Sequence, residues 1–99
     1  MNLIQHYING KTYKGSSSRK GKVFNPATGS QESEVILGTK SDLDHAVENA
    51  KTAFEKWSQV TPLQRARIIF KYKEFIEKNY DELTQLIVSE HGKVYEDAK

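Results

Sequence analysis

Along residues 61–80 the apolar positions recur at the spacing of an α-helix, but they spread over more than one face. At about 100° per residue they cover an arc of roughly 240°, whereas a surface helix needs only about 100° of apolar face. Thr61 suits the N-cap, Pro62 suits the first helical position, and Gln64 would complete a capping box. The sequence therefore predicts a helix over Thr61–Tyr80 that needs packing partners on two sides. Its apolar positions are Leu63, Ala66, Ile68, Ile69, Phe70, Tyr72, Phe75, Ile76 and Tyr80.

Two further segments have helical patterns of the ordinary, one-sided kind. Ser41–Ser58 is expected to start with Ser41 as N-cap, and Asp81–His91 is expected to stop at Gly92 in a left-handed conformation. The stripe of the first helix comprises Leu43, Ala46, Val47, Ala50, Ala53, Phe54 and Trp57. The face of the second comprises Leu83, Leu86 and Ile87. Val94–Lys99 could begin another helix.

The first forty residues have the sequence pattern of short strands separated by turns. Residues 5–13 predict a tight hairpin around Asn9-Gly10, because both turn positions tolerate positive φ. Val23–Asn25 and Ser33–Thr39 predict a second strand pair joined by a turn at 26–29. The apolar run 35–37 is expected to be covered on both faces. Residues 14–22, rich in Gly, Ser and Lys, are expected to form a flexible loop.

Two strand pairs followed by three helices predict an α+β fold. The 99 residues fit one small domain or an incomplete N-terminal segment of a larger protein. The chain has no cysteine, which excludes disulfides, thiolate metal sites and a cysteine nucleophile within it. The first thirty residues hold no long apolar run, so no secretory signal and no membrane contact are expected, and a cytoplasmic location follows.

Residues 1–31 carry only basic charge, whereas all 13 acidic residues lie further along the chain. The basic residues are Lys11, Lys14, Arg19, Lys20 and Lys22. Such a cluster is typical of a nucleic-acid or membrane contact, or more often simply of a solvated loop. Because no aromatic stacking platform is interleaved with these residues, we expect no nucleic-acid partner, and a weak nucleic-acid binder remains a minor alternative.

No set of residues has the spacing of a reaction centre or of a metal site. His6, His45 and His91 are not spaced as ligands on any single element, and His45 is expected to face water. Ser16–Ser18 lie in the loop without an oriented base. Gly15 and Gly21-Lys22 superficially resemble a phosphate loop, but Val23 stands where Ser or Thr should follow. The predicted catalytic, cofactor-binding and metal-binding residues are therefore none.

Two charged residues fall among apolar neighbours on the helical wheels. Glu90 lies on the Leu83 face and Arg65 lies between Ile69 and Ile76. A buried charge needs a partner, so these side chains either bind a ligand, pair with another side chain, or reach water past their neighbours. We favour pairing or access to water.

The order of short motifs resembles the N-terminal segment of the aldehyde dehydrogenase superfamily. The motifs are Tyr7-Ile8-Asn9-Gly10, Val23-Phe24-Asn25-Pro26-Ala27-Thr28-Gly29, Asp42 with Ala46-Val47 and Ala50, Ala53-Phe54 with Trp57, Pro62 with Arg65-Ala66, Glu82-Leu83, and Glu90-His91-Gly92-Lys93. The last tetrapeptide, together with Arg65-Ala66-Arg67, resembles the acylating methylmalonate-semialdehyde dehydrogenase branch. The resemblance covers nearly the whole chain.

This resemblance implies a parent enzyme that oxidises methylmalonate or malonate semialdehyde with NAD and coenzyme A. A cysteine thiohemiacetal and then a thioester would lead to propionyl- or acetyl-CoA, and subunits would form dimers or tetramers. The catalytic cysteine, the general-base glutamate and the glycine-rich cofactor turn have no counterpart here. We therefore expect a truncated, N-terminal part of the NAD-binding domain that is inactive by itself and holds no cofactor.

Two partners are consistent with the broad apolar arc of residues 61–80. The first is the missing remainder of the enzyme, and the second is another copy of the chain as a homo-oligomer. As an alternative to a truncated enzyme, the chain could be a stand-alone interaction module that docks through this helix.

Overall fold

The computed structural model describes residues 2–99, and the fold is of the α+β class. The strands are β1 (Asn2–Ile4), β2 (His6–Ile8), β3 (Lys11–Tyr13), β4 (Lys20–Phe24) and β5 (Gln31–Ile36). The helices are α1 (Lys40–Trp57), α2 (Pro62–Lys78), α3 (Tyr80–His91) and α4 (Tyr95–Ala98). The described chain forms two compact units. Unit 1 runs up to Phe24 and resumes over Gln31–Gln59, and unit 2 comprises Asn25–Ser30 and Val60–Lys99.

Unit 1 contains a two-stranded and a three-stranded sheet. β2 and β3 form the predicted hairpin, in which Asn9 and Gly10 have φ of 57° and 74°. In the other sheet the order is β1-β5-β4, with β1 parallel and β4 antiparallel to β5. Strand β1 was not predicted from the sequence, because its three residues carry no pattern and its partner lies thirty residues away.

The second strand pair forms, but its predicted bounds are wrong. β4 starts at Lys20 and β5 spans Gln31–Ile36, so the flexible-loop prediction fails for residues 20–22. Ile36 is buried but Leu37 is 40% exposed, so the run 35–37 is not covered on both faces. The turn before β5 is confirmed: the Gly29 N–H donates to the Asn25 carbonyl at 2.8 Å, and Gly29 has φ of 75°.

Helix α1 begins two residues earlier than predicted, because Thr39 rather than Ser41 is its N-cap. Helix α2 has Thr61 as N-cap, whose Oγ1 accepts from the Gln64 N–H at 3.3 Å. Helix α2 ends at Lys78 rather than Tyr80, since Asn79 leaves the helical conformation. The prediction that α2 has more apolar circumference than the chain covers is confirmed. Its exposed apolar side chains include Leu63, Ile68, Ile69, Phe70, Tyr72 and Phe75.

In α3 the predicted apolar face is not the buried one. Thr84 is 2% exposed, and its Oγ1 donates to the Tyr80 carbonyl at 2.8 Å. Leu83, Leu86 and Ile87 are exposed. Gly92 ends the helix at φ of 78°, as predicted. The chain after it forms α4, where the Tyr95 hydroxyl donates to Asp81 Oδ1 at 2.6 Å.

Candidate functional site

The Asp42 carboxylate lies at the start of α1 and is only 4% exposed. The Thr39 N–H donates to Asp42 Oδ2 at 2.9 Å, and the Asp42 N–H donates to Thr39 Oγ1 at 3.2 Å. These reciprocal bonds form a capping box. The carboxylate also lies at the positive end of the helix dipole, which favours a negative charge there.

The loop that precedes β4 rests against this carboxylate. Gly15 has φ of 72°, and a Cβ at this position would lie 2.8 Å from Asp42 Cγ. Further along the loop, Arg19 Nη2 donates to the Gly38 carbonyl at 2.8 Å, and the Leu37 N–H donates to the Arg19 carbonyl at 3.1 Å. Of the predicted loop 14–22, residues 20–22 belong to β4, and contacts distant in sequence join Gly15 and Arg19 to the rest of unit 1.

The hairpin brings aromatic and imidazole rings to the same place. His6 Nε2 lies 3.9 Å from Asp42 Oδ2. On the next strand, Tyr13 stacks on His45 with ring centroids 4.5 Å apart and 28° between the planes. His45 is exposed as predicted, but its stacking on Tyr13 was missed. We call Gly15, His6, Asp42, Tyr13 and His45 the Asp42 cluster.

The hydrogen bond from the Thr39 backbone holds the pKa of Asp42 below its ordinary value of 3.8. Burial acts in the opposite direction, while the Thr39 hydroxyl, the Ser16 N–H and His6 add to the lowering. The carboxylate is therefore ionised at neutral pH. The Asp42 carboxylate contacts the loop, the hairpin and the helix start, so its negative charge stabilises the packing of these three segments.

The Asp42 cluster lacks the geometry of a catalytic centre. His6 Nε2 and Asp42 Oδ1 are buried and have no hydrogen-bond partner within residues 2–99, so Asp42 does not orient the imidazole as a base. The nearby Ser17 Oγ accepts from the Arg19 N–H at 3.1 Å. Along the described chain, no three His, Asp or Glu side chains are grouped to hold a metal ion.

An open cleft of about 630 Å³ lies beside the cluster, between the hairpin and α1. Its lining is mainly apolar. The residues that line it are His6, Tyr7, Ile8, Gly38, Thr39, Lys40, Asp42, Leu43 and Ala46. The cleft offers surface for packing.

Among the described residues, neither Gly15 nor Gly21 forms the glycine-rich turn of a dinucleotide site. Binding a pyrophosphate takes a glycine-rich turn between a strand and a helix N-terminus. Here Gly15 packs on a carboxylate, and Gly21 is paired within β4, where a Cβ would lie 3.3 Å from Val35 Cγ1. A carboxylate at the start of α1 would repel a phosphate group.

The other residues singled out in the sequence stay apart from the cluster. Glu90 is exposed, so its carboxylate reaches water rather than a partner, as one of the favoured interpretations expected. Arg65 is half-buried and makes no ion pair with any described residue. The cluster itself was missed, although the Thr39-x-x-Asp42 spacing of a capping box was a usable signal. Over residues 2–99, no helix is both long and apolar enough to cross a membrane.

Comparison with known proteins gives a consistent result. Residues 13–99 match the model of the aldehyde dehydrogenase family. Malonate-semialdehyde dehydrogenase 1 of Shouchella clausii (strain KSM-K16) is 45% identical over 96 residues, which are 97% of this chain and 20% of that protein. The chain thus spans about a fifth of the length of the curated relatives it matches.

Solved structures agree with the fold. A protein assigned as methylmalonate-semialdehyde dehydrogenase from Sinorhizobium meliloti 1021, solved in complex with NAD, superposes with a TM-score of 0.96 at 41% identity. It matches 99% of this chain and 20% of its own. Methylmalonate-semialdehyde dehydrogenase from Oceanimonas doudoroffii gives a TM-score of 0.94 at 40% identity. The chain corresponds to the N-terminal part of the NAD-binding domain in these proteins.

Proposed function

Because the chain belongs to the aldehyde dehydrogenase family, we propose that it is the scaffold segment with which the NAD-binding domain of a malonate- or methylmalonate-semialdehyde dehydrogenase begins. The whole enzyme would oxidise the semialdehyde with NAD and coenzyme A to acetyl- or propionyl-CoA. In that enzyme the segment would supply ordered packing surface, while the reacting groups and the cofactor site would lie elsewhere. By itself it would neither bind NAD nor oxidise an aldehyde.

The observation that carries this proposal is the exposed apolar surface of α2. Phe70 is 66% exposed and Leu63 is 64% exposed, although both belong to a helix with a well-formed N-cap. A soluble domain seldom leaves so many large apolar side chains in water along one helix. About four-fifths of each relative's own chain lies outside the matched part, and in the whole enzyme that part would cover this surface.

Two features of the site support the absence of activity in the segment alone. The chain has no cysteine to form a thiohemiacetal. The Asp42 cluster uses its ionised group to hold a loop, a hairpin and a helix start together.

The direct test measures NADH formation by the pure 99-residue chain with methylmalonate semialdehyde, NAD and coenzyme A. We expect no turnover and no quenching of tryptophan fluorescence by NAD. Turnover above the buffer rate would overturn the proposal.

A chimera tests the scaffold role itself. The corresponding segment of the Sinorhizobium meliloti protein is replaced by these 99 residues, and the chimera is assayed with the same substrates. We expect activity, and we expect Ile69→Asp with Phe75→Asp in α2 to abolish it. The control is Lys71→Asp with Lys78→Asp, which changes the polar stripe of the same helix and should be tolerated. A folded but inactive chimera would contradict the scaffold role.

A further inference from the structure

The two-stranded sheet of unit 1 has little internal structure to stabilise it. Strands β2 and β3 have three residues each, and among the described strands they pair with each other alone. An isolated hairpin of this kind is at best marginally stable in water. Within residues 2–99, two ring or charge contacts join the hairpin to α1, His6 with Asp42 and Tyr13 with His45. Because each contact uses a histidine, the hold of α1 on the hairpin depends on imidazole groups.

The contact between His6 and Asp42 is incomplete when the imidazole is neutral. His6 Nε2 lies 3.9 Å from Asp42 Oδ2, which is beyond hydrogen-bond distance. In the described chain, His6 Nε2 and Asp42 Oδ1 are both buried without a hydrogen-bond partner. Buried polar atoms that stay unpaired cost free energy. The neutral ring therefore does little to hold the hairpin on α1.

We propose that uptake of a proton by His6 fastens the hairpin to the start of α1. The charged ring has an N–H on both nitrogens, so Nε2 becomes a donor that faces the carboxylate whichever tautomer was present before. A shift of the ring by about 1 Å would bring Nε2 within the distance of a charge-assisted hydrogen bond. Imidazole groups ordinarily change charge between about pH 8 and pH 5. The hairpin should therefore be held more firmly in weakly acidic solution than at pH 7.5.

The Asp42 carboxylate is suited to be the fixed acceptor of this bond. The hydrogen bond from the Thr39 backbone holds the pKa of Asp42 below its ordinary value of 3.8, so the carboxylate stays ionised over the range in which His6 titrates. Its Oδ2 accepts from the Thr39 N–H at 2.9 Å, and its Oδ1 lies against Gly15. The acceptor is thus held by two segments, and His6 is the part that changes charge.

The cations near His6 are bonded to other groups. Lys40 lines the same cleft as His6, but its Nζ pairs with Asp44 at 3.0 Å. Arg19 Nη2 donates to the carbonyl of Gly38, the residue that lies beside the His6 ring. Both cations oppose a charge on His6, but each has an acceptor of its own. The carboxylate that pairs with His6 is therefore the nearest charge described for the ring.

The second imidazole has a different environment. The Tyr13 ring lies 6.4 Å from the His6 ring and is stacked on His45 at 4.5 Å. His45 is exposed, and no carboxylate of the described chain forms an ion pair with it. A charge on His45 would be attracted to the face of Tyr13, but water screens this interaction. His45 therefore offers a matched comparison for His6.

Urea unfolding of the full 99-residue chain, followed by circular dichroism at pH 7.5 and pH 5.5, tests the proposal. On going to pH 5.5, the ratio of folded to unfolded chain should rise about threefold more for the parent than for His6→Gln. In a chain that carries Asp42→Asn, His6→Gln should no longer alter the response to pH. A parent response that His6→Gln leaves unchanged would overturn the proposal. An equal loss of response in the Asp42→Asn chain would also overturn it.

His45→Gln is the matched control, because it removes the other imidazole that contacts the hairpin. It should change the response to pH less than His6→Gln does. If His45→Gln alone removes the response, His6 is not the group that fastens the hairpin.

Amide hydrogen exchange locates the effect and does not require cooperative unfolding. After correction for the intrinsic pH dependence of exchange, amides of β2 and β3 should be about threefold better protected at pH 5.5 than at pH 7.5, relative to those of β4. His6→Gln should abolish this gain. Hairpin protection that does not change relative to β4 would contradict the proposal. The inference does not rest on the proposed scaffold function, since both side chains lie within unit 1, and the chimera assay tests that function separately.

Discussion

Long-range polar contacts join the segments of unit 1, whereas the side-chain bonds of unit 2 are mostly local, and both units leave large apolar side chains exposed. In unit 1 the Asp42 carboxylate contacts Gly15, Thr39 and His6, which belong to three separate segments. In unit 2 most side-chain bonds join neighbours on one helix, such as Lys73 with Glu77. The difference indicates that distant segments position one another in unit 1, while unit 2 depends mainly on contacts within its helices.

The largest expected loss of folding stability comes from a substitution at the buried end of β5. Ile36→Ala should reduce the free energy of unfolding by about 2–4 kcal/mol, because Ile36 is the one buried apolar side chain in the described residues. Leu37→Ala, at the exposed neighbouring position, should cost much less. Urea unfolding followed by circular dichroism measures both. Equal losses would show that the apolar interior of unit 1 lies elsewhere.

The second largest effect on folding stability should come from the contact between the loop that precedes β4 and Asp42. Gly15→Ala forces a Cβ into the carboxylate at a positive φ, and should cost about 2 kcal/mol or more. Gly10→Ala is the matched control, because Gly10 also has positive φ but has open space around it. It should cost about 1 kcal/mol from backbone strain alone. If thermal unfolding shows the two variants to be alike, the loop does not rest on Asp42.

The charge of Asp42 predicts that its contribution to folding stability depends on pH only in the acidic range. Because its pKa is lowered in the folded protein, the ionised carboxylate stabilises the fold at pH above its ordinary value of 3.8. That stabilisation is lost as the pH falls through the lowered pKa. Asp42→Asn should therefore be less stable than the parent at pH 7, and the difference should shrink below about pH 4.

The control for that experiment is Asp44→Asn, on the exposed side of the same helix. It should follow the stability curve of the parent closely. If Asp42→Asn keeps its full deficit in acid, the loss comes from packing rather than from charge.

In unit 2 the hydrogen bond between Asp81 in α3 and Tyr95 in α4 should have a smaller effect, which is seen in the ionisation of Tyr95. The hydrogen bond to Asp81 raises the pKa of Tyr95 above its ordinary value of 10.0. Of the five tyrosines in the chain, Tyr95 should ionise late in an absorbance titration at alkaline pH. Tyr95→Phe should remove this late component, and Asp81→Asn should move it to lower pH. A titration curve with the same late component in Tyr95→Phe would contradict the assignment.

The smallest change in folding stability should come from a substitution on the exposed surface of α2. Phe70→Gln replaces an exposed aromatic ring, so the free energy of unfolding should change by no more than about 0.5 kcal/mol. Binding of a hydrophobic dye should nevertheless fall. A loss comparable to that of Ile36→Ala would mean that the chain itself covers Phe70.

The sequence predicted those features that depend on neighbouring residues. The Asn9-Gly10 turn, the Thr61 N-cap and the Gly92 helix end each follow from the conformational preferences of one or two residues. The excess apolar arc of α2 was likewise readable, because helical periodicity depends only on spacing. The family was recognisable because many short motifs occur in the right order.

The missed features depend on residues that are distant in the chain. Strand β1 forms only because Asn2–Ile4 meets β5, and the backbone at Gly15 lies against Asp42. Spacing along the sequence carries no information about such pairs. Spacing alone does not choose between Ser41 and Thr39 as N-cap, because each has an aspartate three positions later, Asp44 and Asp42 respectively.

The pairing of β1 with β5 also has a kinetic consequence. Asn2 lies opposite Ser33, so during synthesis β1 has no partner until some thirty further residues have been made. Helices close their contacts within a few residues and form in about a microsecond or less, whereas distant strand pairing is slow. The amino-terminal sheet should therefore be the last structure of unit 1 to assemble, and the step that limits how fast this unit folds.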